Sequence, residues 1–326
     1  MVGITPFSND TGVYHWSEAT GLRQIGFPVG IDDSSLRPFA SRDGSKVIAA
    51  RHIRDVERAW QWDDFDDRTR ELVSPNPNLV MLGASADAEV LVGFTNTPEG
   101  RRPFRRNISF LAQDEIIDIP EGMLGGEGWS LSADARRMAI GLIAPPRPGE
   151  DANEIKAAIW DEDSGMEVLE FDPQLDVKNA VSLRISDDGT ATAGILAAAG
   201  EPELWAFRHT ESGIEIINDA YWRTVYDMTP DGSLITGEII RNGQAESAVW
   251  TQETGTVTFE SLLDEAALDV LGGGLFFNRL SVADDGLTFA ANYNGRPHLI
   301  ALPSPSTCWS VVFLVCLNQR RLRRAS

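Results

Sequence analysis

The chain has 326 residues, of which 42% are hydrophobic and 24% charged, a composition typical of a globular protein and not of a disordered one. Acidic residues outnumber basic ones by 49 to 28, and the resulting net charge of -21 repels phosphate backbones, so we expect no nucleic-acid partner. Both cysteines, Cys308 and Cys316, lie near the end of the chain, which excludes a disulfide or thiolate site from its body.

A short polar turn recurs six times between an apolar run and a run of alternating small residues. Its clearest copy is Ser-Asp-Asp-Gly at residues 186–189. Glycine accepts a positive φ and aspartate hydrogen-bonds its own backbone, so the pattern predicts a hairpin. A small residue follows five positions after the turn glycine in most copies, which indicates close approach of two backbones. The related turns begin at Ser41, Ser85, Ser132, Thr229 and Ala283.

A second signature, an apolar strand that ends on an aromatic residue, precedes each turn by about half a repeat. Its copies are residues 13–16, 59–62, 158–160, 204–207 and 248–250, with a weaker one at 108–110. Trp16, Trp62, Trp160 and Trp250 occupy equivalent places in these copies, which favours packing between repeats over ligand binding.

Each repeat of about 45 to 55 residues therefore contains two hairpins, or four strands, which is the content of one propeller blade. The sequence predicts an all-β fold, a β-propeller of six four-stranded antiparallel blades within residues 1–302. Residues 293–302 form a closing strand, and we expect residues 3–7 to pair with it as the outer strand and seal the ring. Seven blades result if these two end pieces make a partial blade of their own.

The turns and aromatic strands resemble the HAF repeats of bacterial extracellular proteins. The best copy is Trp205-Ala-Phe-Arg-His-Thr210, followed by Met228-Thr-Pro-Asp-Gly232, with Trp205 in place of the histidine that gives the family its name. The resemblance covers roughly residues 12–302. It implies a propeller-like fold and an extracellular or cell-envelope location, and it implies no chemistry. No signal peptide is visible at the N-terminus, so we expect that residues preceding Met1 are missing.

Residues 303–326 form a separate tail with an apolar run followed by arginines. It resembles the PEP-CTERM sorting signal, with Ser304 in place of the usual glutamate, and this resemblance implies transient membrane association. Arginines on the cytoplasmic side of such a run agree with the positive-inside rule. The tail residues that carry the resemblance are Pro303, Pro305, Ser306, Arg320, Arg321, Arg323 and Arg324.

The chain contains no strong catalytic motif: neither a zinc helix, a nucleophile elbow nor a P-loop is present. Aspartate clusters on two predicted hairpin turns offer the hard oxygen ligands that calcium prefers, which makes a structural Ca²⁺ the one cofactor the sequence suggests. The candidate ligands are Asp63, Asp64, Asp66, Asp67, Asp161 and Asp163. In the central turn, Asp187 and its counterpart Asp284 vary between copies and are the part of the turn available for binding.

These observations favour an exported, non-catalytic binding or structural module whose partner is a protein or a polysaccharide. The alternative is a secreted propeller hydrolase or lyase that acts on polysaccharide. The two differ in one respect, because an enzyme must gather acidic side chains from several blades at one mouth of the channel.

Overall fold

The fold consists almost entirely of β-strands. The computed structural model describes residues 2–5, 12–17, 21–25, 37–53, 56–72, 78–108, 114–201, 203–263, 277–293, 296–302 and 313–316. Two short 3₁₀ helices, Pro173–Leu175 and Phe259–Leu262, lie between strands. Neither they nor any other helix in this part of the chain has the length and apolar character needed to cross a membrane.

The described strands form one three-stranded sheet and six four-stranded sheets, which we call the N-terminal sheet and blades I to VI. The N-terminal sheet contains β1 (Val2–Thr5), β2 (Gly12–Ser17) and β3 (Gly21–Ile25). Blades I to III contain β4 (Arg37–Ala40), β5 (Lys46–Ile53), β6 (Val56–Asp63) and β7 (Arg68–Leu72); β8 (Leu79–Ala84), β9 (Val90–Thr97), β10 (Gly100–Asn107) and β11 (Glu115–Ile116); β12 (Gly125–Leu131), β13 (Arg137–Ala144), β14 (Glu154–Asp161) and β15 (Gly165–Val168). Blades IV to VI contain β16 (Val177–Ile185), β17 (Thr192–Ala198), β18 (Leu204–Thr210) and β19 (Gly213–Ile217); β20 (Tyr221–Met228), β21 (Leu234–Arg241), β22 (Gln244–Thr251) and β23 (Gly255–Thr258); β24 (Phe277–Val282), β25 (Thr288–Tyr293), β26 (Arg296–Ala301) and β27 (Phe313–Cys316).

Every blade is a meander of consecutive antiparallel strands. The first strands of neighbouring blades contact one another from β4 through β24, so they surround the axis of the molecule, and the fourth strands lie outside. This is the β-propeller with six four-stranded blades that the repeats predict. Strand β1 contacts β4 on one side and β26 on the other, which places the N-terminal sheet between blades VI and I.

The ends of the chain pair differently from the prediction. Strand β1 pairs with β2 and not with the closing strand β26. The outer edge of β26 is instead covered by β27, a part of the tail whose Phe313, Leu314 and Val315 favour extended structure. The expected pairing of residues 3–7 with residues 293–302 is therefore wrong, because a nearer apolar segment satisfies the backbone groups of that edge.

The recurrent turn joins the first strand of each blade to the second. In blade I the Ser41 hydroxyl donates to Asp43 Oδ1 (2.6 Å) and accepts from the Lys46 N–H (2.9 Å), while Asp43 Oδ1 also accepts from the Ser45 N–H (2.9 Å). Blades II to V repeat this arrangement. The fourth turn residue has a positive φ in all six copies, even where it is alanine, as at Ala88. The predicted hairpins are confirmed, and the hydroxyl-carboxylate pair explains why alanine is tolerated there.

The structural blade begins half a repeat later than the sequence signatures imply. The aromatic strand that precedes a turn along the chain is the third strand of the preceding blade, because β14 carries Trp160 and pairs with β13 of blade III. Along the chain, the third strand of one blade is followed by the outer fourth strand of the same blade and then by the first strand of the next blade. An aromatic strand and the turn that follows it along the chain therefore belong to different sheets.

The hydrophobic core lies between neighbouring blades. One buried cluster joins Leu183 and Ala193 of blade IV to Trp222 and Trp250 of blade V. In blades II, IV and V the small residue after the turn is a glycine on the second strand that lies against the backbone of the first strand, since a Cβ on Gly93, Gly194 or Gly237 would collide with a carbonyl oxygen of that strand. The close backbone approach predicted from these positions is confirmed.

Candidate functional site

One end of the propeller, here called the turn face, carries the turns between the first and second strands and those between the third and fourth strands. The first-to-second turns of neighbouring blades are hydrogen-bonded to one another. The Arg42 N–H donates to the Ala86 carbonyl oxygen (2.6 Å), and the Ala133 N–H donates to the Asp187 carbonyl oxygen (2.9 Å). These bonds fix the turns around the mouth of the axial channel.

Arg42 lies in the middle of this ring. Its guanidinium forms an ion pair with Asp187 of blade IV and another, at 3.2 Å, with Asp284 of blade VI. The two aspartates that the sequence left available for binding are therefore brought together by the fold, and both are engaged by the same arginine. At this mouth the structure gathers two carboxylates that share one guanidinium and not a free pair of carboxylates.

A second pair of charges lies deeper, between the inner strands. Arg184 and Asp227 each stand two residues before their turn, in blades IV and V. Arg184 Nε donates to the Tyr226 carbonyl oxygen (2.5 Å), and Asp227 Oδ2 accepts from the Val282 N–H (3.2 Å). Burial lowers the pKa of Arg184 and raises that of Asp227, and the opposite charge of each partner opposes these changes. Both side chains connect their blade to the next one and have a structural role.

The aromatic position of the third strand holds tryptophan in three of the six blades, and Ile300 holds it in blade VI. Trp62, Trp160 and Trp250 each pair with the residue six positions after the start of their turn, and all three are buried. By the same register His209 holds this position in blade IV and Arg106 in blade II. The sequence placed the aromatic residues of these blades at 207 and 110, so its alignment of the third strands of blades II and IV is wrong.

The smaller side chain of His209 leaves a cleft of about 240 Å³ between blades III and IV on the turn face, which we call the His209 cleft. A shallower hollow shares Glu167, His209 and Gly213 with it and continues to Glu170 and Asp172. The chemically active lining of the cleft comes from both blades: Arg137, Asp161, Glu167, Thr192, His209 and Glu211.

Two of these charged groups, Arg137 and Asp161, form an ion pair with each other. Arg137 Nε donates to Asp161 Oδ2 (2.7 Å), and its Nη1 donates to the Gly189 carbonyl oxygen of the central turn (2.7 Å). Asp161 Oδ1 accepts the N–H groups of Asp163 and Ser164, both at 3.0 Å. The bond from Arg137, followed by these backbone bonds, holds the pKa of Asp161 far below its ordinary value. Asp161 is therefore a fixed anion that orients Arg137.

His209 is half-buried and neutral at pH 7. Burial lowers the pKa of the imidazole, Glu167 opposes that change, and Arg137 adds to it. Thr192, 1% exposed, lies beside it in the wall of the cleft. Within the part of the chain that the structure describes, neither the Thr192 hydroxyl nor the His209 ring makes a hydrogen bond, so both are available to a bound group.

The aspartates predicted as calcium ligands lie in two separate turns, Asp63, Asp64, Asp66 and Asp67 in blade I and Asp161 and Asp163 in blade III. Their carboxylates hold the turns: Asp63 Oδ1 accepts the Phe65 N–H (2.9 Å) and Asp67 Oδ1 accepts from Trp62 Nε1 (3.0 Å). Among the described residues no group of three or more His, Cys, Asp or Glu side chains is placed to hold a metal ion. The geometry gives the calcium hypothesis no support.

The remaining predicted site residues belong to the tail. Pro303, Pro305, Ser306 and the four arginines at 320, 321, 323 and 324 lie outside the described residues. The sorting-signal resemblance stays a prediction.

The comparisons with known proteins agree with the fold. No family model and no curated protein matches the chain. Among solved structures, the chain resembles an oligogalacturonate lyase from Vibrio parahaemolyticus with a TM-score of 0.64 at 11% identity, over 94% of this chain and 87% of that one. It resembles the β-propeller domain of the Trilobed protease from Pyrococcus furiosus with a TM-score of 0.62 at 12% identity, over 95% and 88%. It resembles TolB from Acinetobacter baumannii with a TM-score of 0.54 at 12% identity, over 78% of this chain but only 61% of that one. These likenesses show the propeller fold alone.

Proposed function

We propose that the protein is a non-catalytic binding module of the bacterial cell envelope or extracellular space, and that the turn face is its binding surface. The observation that carries this proposal is the His209 cleft. Where three other blades fill the aromatic position with a buried tryptophan, blade IV has a smaller polar side chain and a cavity lined in part by the buried Thr192. A departure from the repeat that opens a polar cavity has no benefit for packing, which supports a ligand site.

The turn face also offers an apolar contact. Phe65, at the tip of the turn between β6 and β7, is 99% exposed, and the turn that holds it is fixed by the carboxylates of Asp63 and Asp67. A fully exposed phenylalanine on an ordered turn is typical of a surface that contacts a partner.

The alternative, a hydrolase or lyase acting on polysaccharide, has less support from the side chains present. An acid catalyst needs a carboxyl whose pKa is raised. In the cleft Asp161 has the opposite property, and at the channel mouth Asp187 and Asp284 both pair with Arg42. The oligogalacturonate lyases among similar structures share only 11% to 14% of their residues with this chain.

The test is a thermal-shift panel of sugars, amino acids, amines and nucleotides on the wild type and on His209→Trp, which restores the repeat residue and fills the cleft. A ligand of the cleft raises the Tm of the wild type and not that of the variant, because binding stabilises only the folded state that holds it. Release of reducing ends from polygalacturonate or neutral glucans by the wild type, lost in His209→Trp, would establish the enzyme instead. A panel in which every effective compound stabilises both proteins equally would reject the cleft as the binding site.

A further inference from the structure

The charges of the His209 cleft disfavour anionic ligands. Among the described residues that line it, Arg137 is the one cation, and both its Nε and its Nη1 already donate to groups of the protein. Glu167 and Glu211 are exposed carboxylates on opposite blades of the cleft. An anion would meet repulsion from both, and the positive charge of Arg137 is already balanced by its ion pair with Asp161.

The hydrogen-bonding groups of the cleft are mainly acceptors. The two glutamates accept only, the neutral ring of His209 offers one accepting nitrogen, and the Thr192 hydroxyl accepts as well as donates. A protonated primary amine has the complementary character, with three N–H donors and a positive charge. Such a group gains charge-assisted hydrogen bonds in the cleft.

The acidic groups continue in one direction from the cleft. The adjoining hollow shares Glu167 and His209 with it and adds Glu170 and Asp172, both exposed. The two adjoining hollows, here together called the trough, are lined by the carboxylates of Glu211, Glu167, Glu170 and Asp172. A ligand that pairs with all of these carboxylates needs several cationic groups spaced along a narrow chain.

We propose that this trough binds a linear polyamine, with one terminal ammonium in the His209 cleft and the others along Glu167, Glu170 and Asp172. The proposal rests on the proposed function, since both place the ligand at His209, and it adds the chemical class of that ligand.

The experiment is isothermal titration of the full chain with spermidine at physiological salt. The wild type is expected to bind at one site. His209→Trp removes no charge but fills the cleft, and it is expected to weaken binding at least tenfold. Glu167→Gln removes one carboxylate of the trough and is expected to weaken binding to a similar degree. Glu253→Gln removes the same charge from an exposed turn of blade V, between β22 and β23, and is expected to leave binding unchanged.

Retained affinity in His209→Trp, or equal weakening by Glu167→Gln and Glu253→Gln, would overturn the proposal, because attraction to an acidic surface depends on charge and not on shape. If His209→Trp does not fold, the spermidine affinities of Glu167→Gln and Glu253→Gln test the proposal without it. If spermidine does not bind while another compound stabilises the wild type and not His209→Trp, the polyamine class is wrong and the binding module stands. If no compound depends on His209, both proposals fail.

Discussion

Arg42 of blade I and Asp187 of blade IV form an ion pair across the mouth of the axial channel. Asp284 of blade VI reaches the same guanidinium at 3.2 Å. Three turns that are remote in sequence are thus joined at one point, which an ion pair inside a single blade cannot do. The contact also relieves the repulsion between Asp187 and Asp284.

Arg42→Ala is expected to lower the stability of the ring. Removal of the guanidinium leaves Asp187 and Asp284 facing each other as like charges, so we expect a loss of about 1 kcal/mol, larger at low salt than at high salt because the groups are partly exposed. Urea unfolding at two salt concentrations measures it. Arg58→Ala is the control, since Arg58 pairs with Glu71 inside blade I and is similarly exposed. Equal losses in the two variants would show that the connection between blades contributes nothing.

Gly194→Ala is expected to destabilise blade IV by about 1 to 3 kcal/mol, as overpacking of a close contact does. The added methyl group would collide with the Val181 carbonyl oxygen and with the Phe207 ring. Gly237→Ala should behave alike in blade V, where a Cβ meets the Thr224 carbonyl oxygen and Trp222. Denaturant unfolding of both variants measures the effect. Wild-type stability in either would mean that the two strands can separate there at no cost.

The turn aspartates are expected to make the protein sensitive to acid. Hydrogen bonds from the turn lower the pKa of Asp43, Asp134 and Asp231 more than burial raises it. At Asp188 and Asp285 burial is the largest single cause and raises the pKa, but the hydrogen bonds of the turn together outweigh it, so the pKa of all five carboxyls lies below the ordinary 3.8. A carboxyl with a depressed folded-state pKa stabilises the fold fully above its unfolded value, and this contribution is lost as the pH falls through the folded value. Stability should therefore be constant near neutrality and fall steeply below about pH 4.

Asp188→Asn tests the assignment of this effect. The variant is expected to be less stable at neutral pH by about 1 kcal/mol, because its amide accepts the turn hydrogen bonds more weakly than a carboxylate. Its stability should then fall less steeply in acid than that of the wild type. Urea unfolding at about pH 7 and about pH 3 compares the two slopes, and parallel slopes would assign the acid sensitivity to other carboxylates.

The imidazole of His209 is expected to titrate below 6.5. Its pKa is lowered by burial first and by Arg137 second, and Glu167 acts in the opposite direction. Glu167→Gln should therefore lower the pKa of His209 further. The chemical shift of the ring protons against pH, followed by NMR, measures both values. A higher pKa in the variant would contradict the electrostatic description of the cleft.

Features that depend on neighbouring residues or that recur in every repeat could be predicted from the sequence, whereas a position that departs from the repeat was missed. The hairpin turn at Ser186 was readable because its chemistry is local: hydroxyl, carboxylate and glycine lie within four residues of one another and act on their own backbone. The buried position of Trp62, Trp160 and Trp250 was readable because they recur at one place in the repeat. The role of His209 was missed, although a signal existed: two residues after Phe207, it lies near the end of the third strand, where blades I, III and V have tryptophan.

The sequence by itself determined the hairpin turns, the four-stranded content of the repeat and the number of blades, because these depend on local backbone preference and on a period repeated six times. Only the tertiary structure decided which turns meet at Arg42 and which strand covers the edge of β26. It also decided that His209, where three other blades have tryptophan, borders a cavity between blades III and IV. These depend on contacts between segments far apart in the chain. Such contacts are set by the closure of the ring, and no periodicity along one strand encodes them.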